Sequence, residues 1–164
     1  MTNLVNGFFQ RISALINNLI ARGISWAKKV VEEKAKEGRL LSDAELIIAK
    51  RVGVRFPERI RLVFVDQIPQ PEDPQLLEVA RSTGLNFPST IGLALGYTIF
   101  IRNNNFSEKA LAHECRHVYQ FEQAGSIESY LQNYLQSLLI DGYTNSPYEK
   151  DAQAWEKEGQ FQNF

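Results

Sequence analysis

The stretch His113-Glu114-Cys115-Arg116-His117 decides how this chain is read. It has the form H-E-x-x-H, and its two histidines are the only 2 in 164 residues. On a helix, residues four apart share a face, so both imidazoles can reach one ion. Neutral imidazole nitrogen is a preferred ligand of zinc. Glu114, beside the pair, is suited to take a proton from a zinc-activated water. The plainer reading is a partly exposed helix whose histidines bond a backbone group or a carboxylate. It does not explain why both histidines stand together.

The window around the motif predicts a helix. Ser107 is a good N-cap, Glu108 suits the first turn, and Gly125 ends the helix after about Gln123. Downstream, Ser126 caps a helix with Tyr130, Leu131, Tyr134, Leu135, Leu138 and Leu139 on its inner side. Asp141-Gly142 breaks it. Pro147 opens a last helix through Glu149, Ala152 and Trp155, and a loose polar tail follows from Gly159.

Upstream, Thr90 to Arg102 reads as two strands or one bent strand, interrupted at Gly96. The edge of Thr98, Ile99, Phe100 and Ile101 is the expected place for an extended peptide to add as a strand. A hairpin that only completes the sheet is the plain alternative. Asp73-Pro74 starts a helix that Gly84 ends. Arg59 to Asp66 reads as a strand. Ser42-Asp43-Ala44-Glu45 is a capping-box pattern opening a short helix to about Val52. Residues 3 to 38 carry an apolar stripe at helical spacing, with Gly23 as a possible division into two helices. The stripe suits packing on the domain or on a second copy. The fold class expected is α+β: a small sheet, the motif helix and further helices behind it.

Composition narrows the function classes. A formal net charge of -1 offers no attraction for nucleic acid or an anionic membrane. One cysteine excludes an internal disulfide. No run of eighteen apolar residues is long enough to span a membrane, and the first residues do not resemble a signal peptide. The expectation is a soluble cytoplasmic protein.

A catalytic zinc takes three protein ligands and keeps one open position. His113 and His117 supply two. No third histidine exists, so the third ligand is a carboxylate or Cys115. Cys115 lies about 200° round the helix from His113 and points away. Glu122 falls on the far face, and Glu128 comes too early for the chain to return. Asp141 is possible. Glu149 is the best placed, after a connecting helix long enough to bring the chain back, with Asp151 in reserve. A glutamate in a first turn is also favoured by the helix dipole alone.

His113-Glu114-Cys115-Arg116-His117 followed by Pro147-Tyr148-Glu149-Lys150-Asp151-Ala152 resembles the gluzincin clan of zinc peptidases. The likeness is to the short minigluzincin-like bacterial domains, including the zincin-like domain of extracellular contractile injection system core proteins. Gly92-Leu93-Ala94-Leu95-Gly96 to Ile101 resembles the strand before the active helix there. His117-Val118-Tyr119-Gln120 resembles the continuation of that helix. The resemblance covers Phe87 to Trp155. It implies Glu149 as third ligand and says nothing of residues 1–40. The domain organisation expected is a helical segment 1–40, a zincin-like domain 41–158 and a tail 159–164.

Two departures stand out. Gln153 occupies the place where many gluzincins support a histidine with Asp. No downstream histidine can help an oxyanion, which leaves Tyr143 or Tyr148 as candidate donors. The expected function is a zinc metallopeptidase with one Zn2+ per chain, Glu114 as general base and a peptide or protein as substrate. The alternative is a non-catalytic zinc-binding protein that docks partners or a second copy through residues 1–38. A self-inhibited form, covered by those helices or by Gln160 to Phe164, would join the two.

Overall fold

The computed structural model describes residues 2–156, so the expected tail 159–164 and its covering role lie outside the described residues. The fold is α+β, with a three-stranded sheet between two groups of helices. Its elements are α1 (Thr2–Lys34), α2 (Asp43–Arg51), β1 (Arg61–Val65), α3 (Pro74–Ser82), β2 (Gly92–Leu95), β3 (Thr98–Arg102), α4 (Glu108–Ala124), α5 (Ile127–Asp141) and α6 (Pro147–Ala154).

The helix boundaries follow the capping chemistry. Ser42 accepts from the Glu45 N–H while Glu45 accepts from the Ser42 N–H, a complete capping box. Asp73, Ser107, Ser126 and Ser146 cap α3, α4, α5 and α6 through their side chains. Gly125 closes α4 with a left-handed φ of 83°, which only glycine adopts without cost.

The sequence offers Gly23 as a division of the first helix; the structure does not divide there, and α1 runs unbroken from Thr2 to Lys34. A Cβ at Gly23 would meet the Leu135 side chain at 3.2 Å. The glycine lets α1 approach α5 closely, and packing outweighs its poor helix propensity. Ile20 and Ala27 of α1 are buried, so its inner half belongs to the core. Lys28 pairs with Glu128 on α5, and Arg22 pairs with Asp73 at the cap of α3.

The strand order is β1-β3-β2, with β1 parallel and β2 antiparallel to β3. This corrects the expected substrate strand. β3 is central, and Thr98, Ile99, Phe100 and Ile101 are buried and paired on both sides. A peptide cannot add there, because both rows of backbone groups are already bonded. Among the described residues, the free edge beside the motif helix is that of β2.

Side chains of β3 alternate between two cores. Ile99 and Ile101 join Ile48, Val52, Leu62, Leu111, Cys115 and Val118 under α2 and α4. Phe100 joins Ala27, Val63, Phe87, Leu95, Tyr130 and Leu131 under α1 and α5. The motif helix is thus seated by its apolar face on the sheet.

The cap of α2 sets one acid-sensitive contact. The Arg39 guanidinium bonds both oxygens of Glu45, outweighs partial burial, and holds its carboxyl down from 4.5 to about 2. A carboxyl lowered on folding stabilises fully above its unfolded pKa and loses that contribution as pH falls through the folded value. Stability against urea should therefore fall as pH is lowered from 4.5 to about 2. Glu45→Gln should flatten that part of the profile; an unchanged slope would rule Glu45 out as its source.

Candidate metal centre

Helix α4 presents His113 and His117 one turn apart, with their Nε2 atoms 3.1 Å from each other. Helix α5 returns the chain antiparallel, and Ser137 on α5 bonds the hydroxyl of Ser146, the cap of α6. Pro147 and the cap start α6 so that Glu149, in its first turn, faces the histidines. Glu149 Oε2 lies 3.3 Å from His113 Nε2, and its Oε1 lies 3.3 Å from His117 Nε2. These three residues could hold a metal ion. The structure thus brings together the two histidines and the expected carboxylate.

The other candidates stand elsewhere. Asp151 is held by Arg116 at 2.8 and 3.1 Å and by the Gln120 amide at 2.8 Å. Asp141 is the exposed last residue of α5. Glu122 accepts from the Arg55 and Phe56 N–H groups and from Tyr97. Cys115 is buried in the core behind the helix, where burial pushes its thiol pKa up.

The hydrogen bonds fix the tautomers. Gln120 donates its amide N–H to the Tyr148 carbonyl and to Asp151, so its oxygen must accept. That oxygen lies 2.8 Å from His117 Nδ1, which therefore carries the proton. His113 Nδ1 lies 2.7 Å from a Glu156 oxygen and donates likewise. In the neutral rings both Nε2 lone pairs then point at each other and at a carboxylate. Glu149 Oε1 accepts from the Tyr134 hydroxyl at 2.7 Å, while Oε2 is buried with no donor. A cation at the centre of the cluster would satisfy the carboxylate and the lone pairs together. Without a metal, a proton supplies it. Burial opposes charge on His113, but Glu149, Glu114 and Glu156 outweigh this and push it up to about 9. Burial likewise opposes the Glu149 charge; the two histidines and Tyr134 prevail and hold its carboxyl well below the usual range.

Glu114 is buried beside the pair, and burial raises its carboxyl pKa against the pull of both histidines. Gly92 of β2 lies directly over it. A Cβ there would stand 2.4 Å from Glu114 Oε1. The glycine therefore leaves the carboxylate its space.

Gln153 does not support a histidine. It is exposed, and the carboxylate on His113 is Glu156, whose second oxygen meets Lys109 at 3.1 Å. Tyr148 is a packing residue, with its ring edge-on to Tyr130 and Tyr134. Tyr143 borders the site, where burial and the Glu149 charge raise its hydroxyl pKa. Sequence reading assigned no role at the site to Tyr134, Glu156 or Gln120.

Two cavities meet here. A polar mouth of about 380 Å³ is lined by Ser89, Thr90, Lys109, His113, Glu114 and Tyr143, among others. An apolar inner cavity of about 130 Å³ runs from Glu114 between β2, α3, α5 and α1, where Leu19, Gly23 and Trp26 form its wall.

No family model, curated protein or solved structure matches the chain at a significant level. No helix among the described residues is long and apolar enough to cross a membrane.

Glu156→Gln removes the charged acceptor from His113. Metal affinity should fall about 10–100-fold, measured by competition with a chelator. Gln153→Ala should leave it unchanged. The reverse pattern would return the supporting role to Gln153.

Proposed function

We propose that the chain is a zinc-dependent metallopeptidase, and the geometry of the three donors is the observation that carries this reading. Zinc with ligand bonds of about 2.0–2.1 Å in a tetrahedron has ligand-to-ligand edges of roughly 3.3–3.4 Å. Here the two Nε2 atoms lie 3.1 Å apart, each is 3.3 Å from a different oxygen of Glu149, and one donor atom from each of the three residues lies within 4.8 Å of the others. Two imidazoles and one carboxylate leave the fourth corner open, as catalytic zinc sites do. The resemblance of both motif segments to gluzincins supports the same reading.

When bound, zinc would polarise a water and the scissile carbonyl and bring the water's pKa toward about 7. The chain's own residues do the rest. Glu114 takes the proton of the attacking water and passes it to the leaving amine nitrogen. A carboxyl pKa raised by burial suits this two-way transfer. Tyr143 donates to the oxygen that becomes negative on the tetrahedral carbon. The substrate lies along the outer edge of β2. Arg102 donates its N–H to the Ile91 carbonyl, and the antiparallel alternation then turns the backbone groups of Gly92 and Ala94 outward, toward a peptide. An apolar cavity of about 150 Å³ holds a benzene-sized group. The 130 Å³ cavity beside Glu114 therefore suits one large apolar side chain.

A covered cleft is the second reading, favoured by the α1 residues that wall the inner cavity. Truncation of residues 1–38 is a poor test of it, because it removes Ile20 and Ala27 from the core.

The deciding experiment is elemental analysis of the purified chain, followed by cleavage of a peptide library. About one zinc per chain, lost in Glu149→Ala, is expected, with cleavage beside large apolar residues. Glu114→Gln should keep the metal and abolish cleavage. Gly92→Ala should also keep the metal and lower cleavage, since the added methyl displaces the Glu114 carboxylate. A folded chain that takes up no zinc when offered it would end this reading.

A further inference from the structure

We propose that the outer half of α1, residues 4–19, is a self-association surface covered by a second copy of this chain. The apolar stripe of α1 does not stop where the body ends. Leu4, Val5, Phe8, Phe9, Ile12 and Leu15 are all exposed, with Leu4 at 83% and Phe9 at 63%. Further along the same helix Ile20 and Ala27 are buried, and Gly23 packs on Leu135. The inner half of the stripe is thus a helix-packing face already, and the outer half continues it.

Area and charge identify the occupant. The six exposed side chains offer roughly 700 Å² of apolar surface, and a contiguous patch of that size is uncommon on a monomer. A pair of copies would bury about 1,400 Å², within the range of stable dimers. Val5, Phe8, Ile12, Leu15 and Leu19 alternate spacings of three and four, the seam of paired helices. Arg11 is the only charged side chain from residue 4 to 19. A helix that lies on a membrane carries a Lys- or Arg-rich polar face, which this one lacks. A charged partner would find nothing to complement. A neutral face bordered by Asn6, Gln10, Asn17 and Asn18 meets its own copy with little like-charge repulsion.

The test is the mass of the full chain in solution, by sedimentation equilibrium over a micromolar concentration series. Twice the 18.7 kDa of one chain is expected. Phe8→Glu with Ile12→Glu and Leu15→Glu should give single chains with unchanged circular dichroism. Phe8→Ala with Leu15→Ala adds no charge and should weaken association more than about tenfold, which keeps the test open if the first variant misfolds. Single-chain wild type throughout the series would overturn the proposal. So would a dimer that survives in both variants. Single chains that sediment with phosphatidylcholine vesicles would assign the face to lipid and overturn it as well.

Discussion

The fold turns on one buried carboxylate. Glu149 is 1% exposed, with one oxygen bonded by Tyr134 and the other 3.3 Å from His113 Nε2. A charge so removed from water is strongly destabilising unless a positive partner meets it. Both histidines are turned so that their lone pairs, not their N–H groups, face it when they are neutral. The centre of the cluster is therefore a cation-shaped deficit, filled by a proton on His113 or by a metal.

The scaffold holds the three donors in register through a second set of contacts on the same helix. Arg116 projects from α4 between the two histidines in sequence, grips Asp151 on α6 with two bonds, and donates to the Val52 carbonyl behind α2. Its guanidinium also lies 3.9 Å from the Tyr119 ring centre and 4.5 Å from that of Trp155. Gln120 ties His117 to Tyr148 and Asp151. Because Asp151 follows Glu149 by two residues, fixing it sets the rotation of α6 and hence the aim of the carboxylate.

Much of this was legible before any coordinates. The histidine spacing, the serine caps, Gly125 and Pro147 are local signals, and the structure keeps them. Glu149 was reachable from chain length and helix count. Three features were not. Gly23 reads as a break because a sequence does not show the Leu135 side chain that needs its missing Cβ. The centrality of β3 depends on the crossover from β1, a long-range pairing that strand composition does not encode. The role of Glu156 depends on the turn after α6, which carries it back over His113 beside Lys109. Gln153, four residues after Glu149, falls on the solvent side of α6.

Cys115 adds a property of another kind. The one sulfhydryl of the chain sits within the motif, yet the helix turns it into the core, where it is fully buried and its ionisation is suppressed. Oxidants act on exposed thiolates. The three donors around the centre are nitrogen and oxygen alone, so none of them can be converted to a disulfide or a sulfenic acid. A peroxide that would oxidise a thiolate ligand finds none among these three donors.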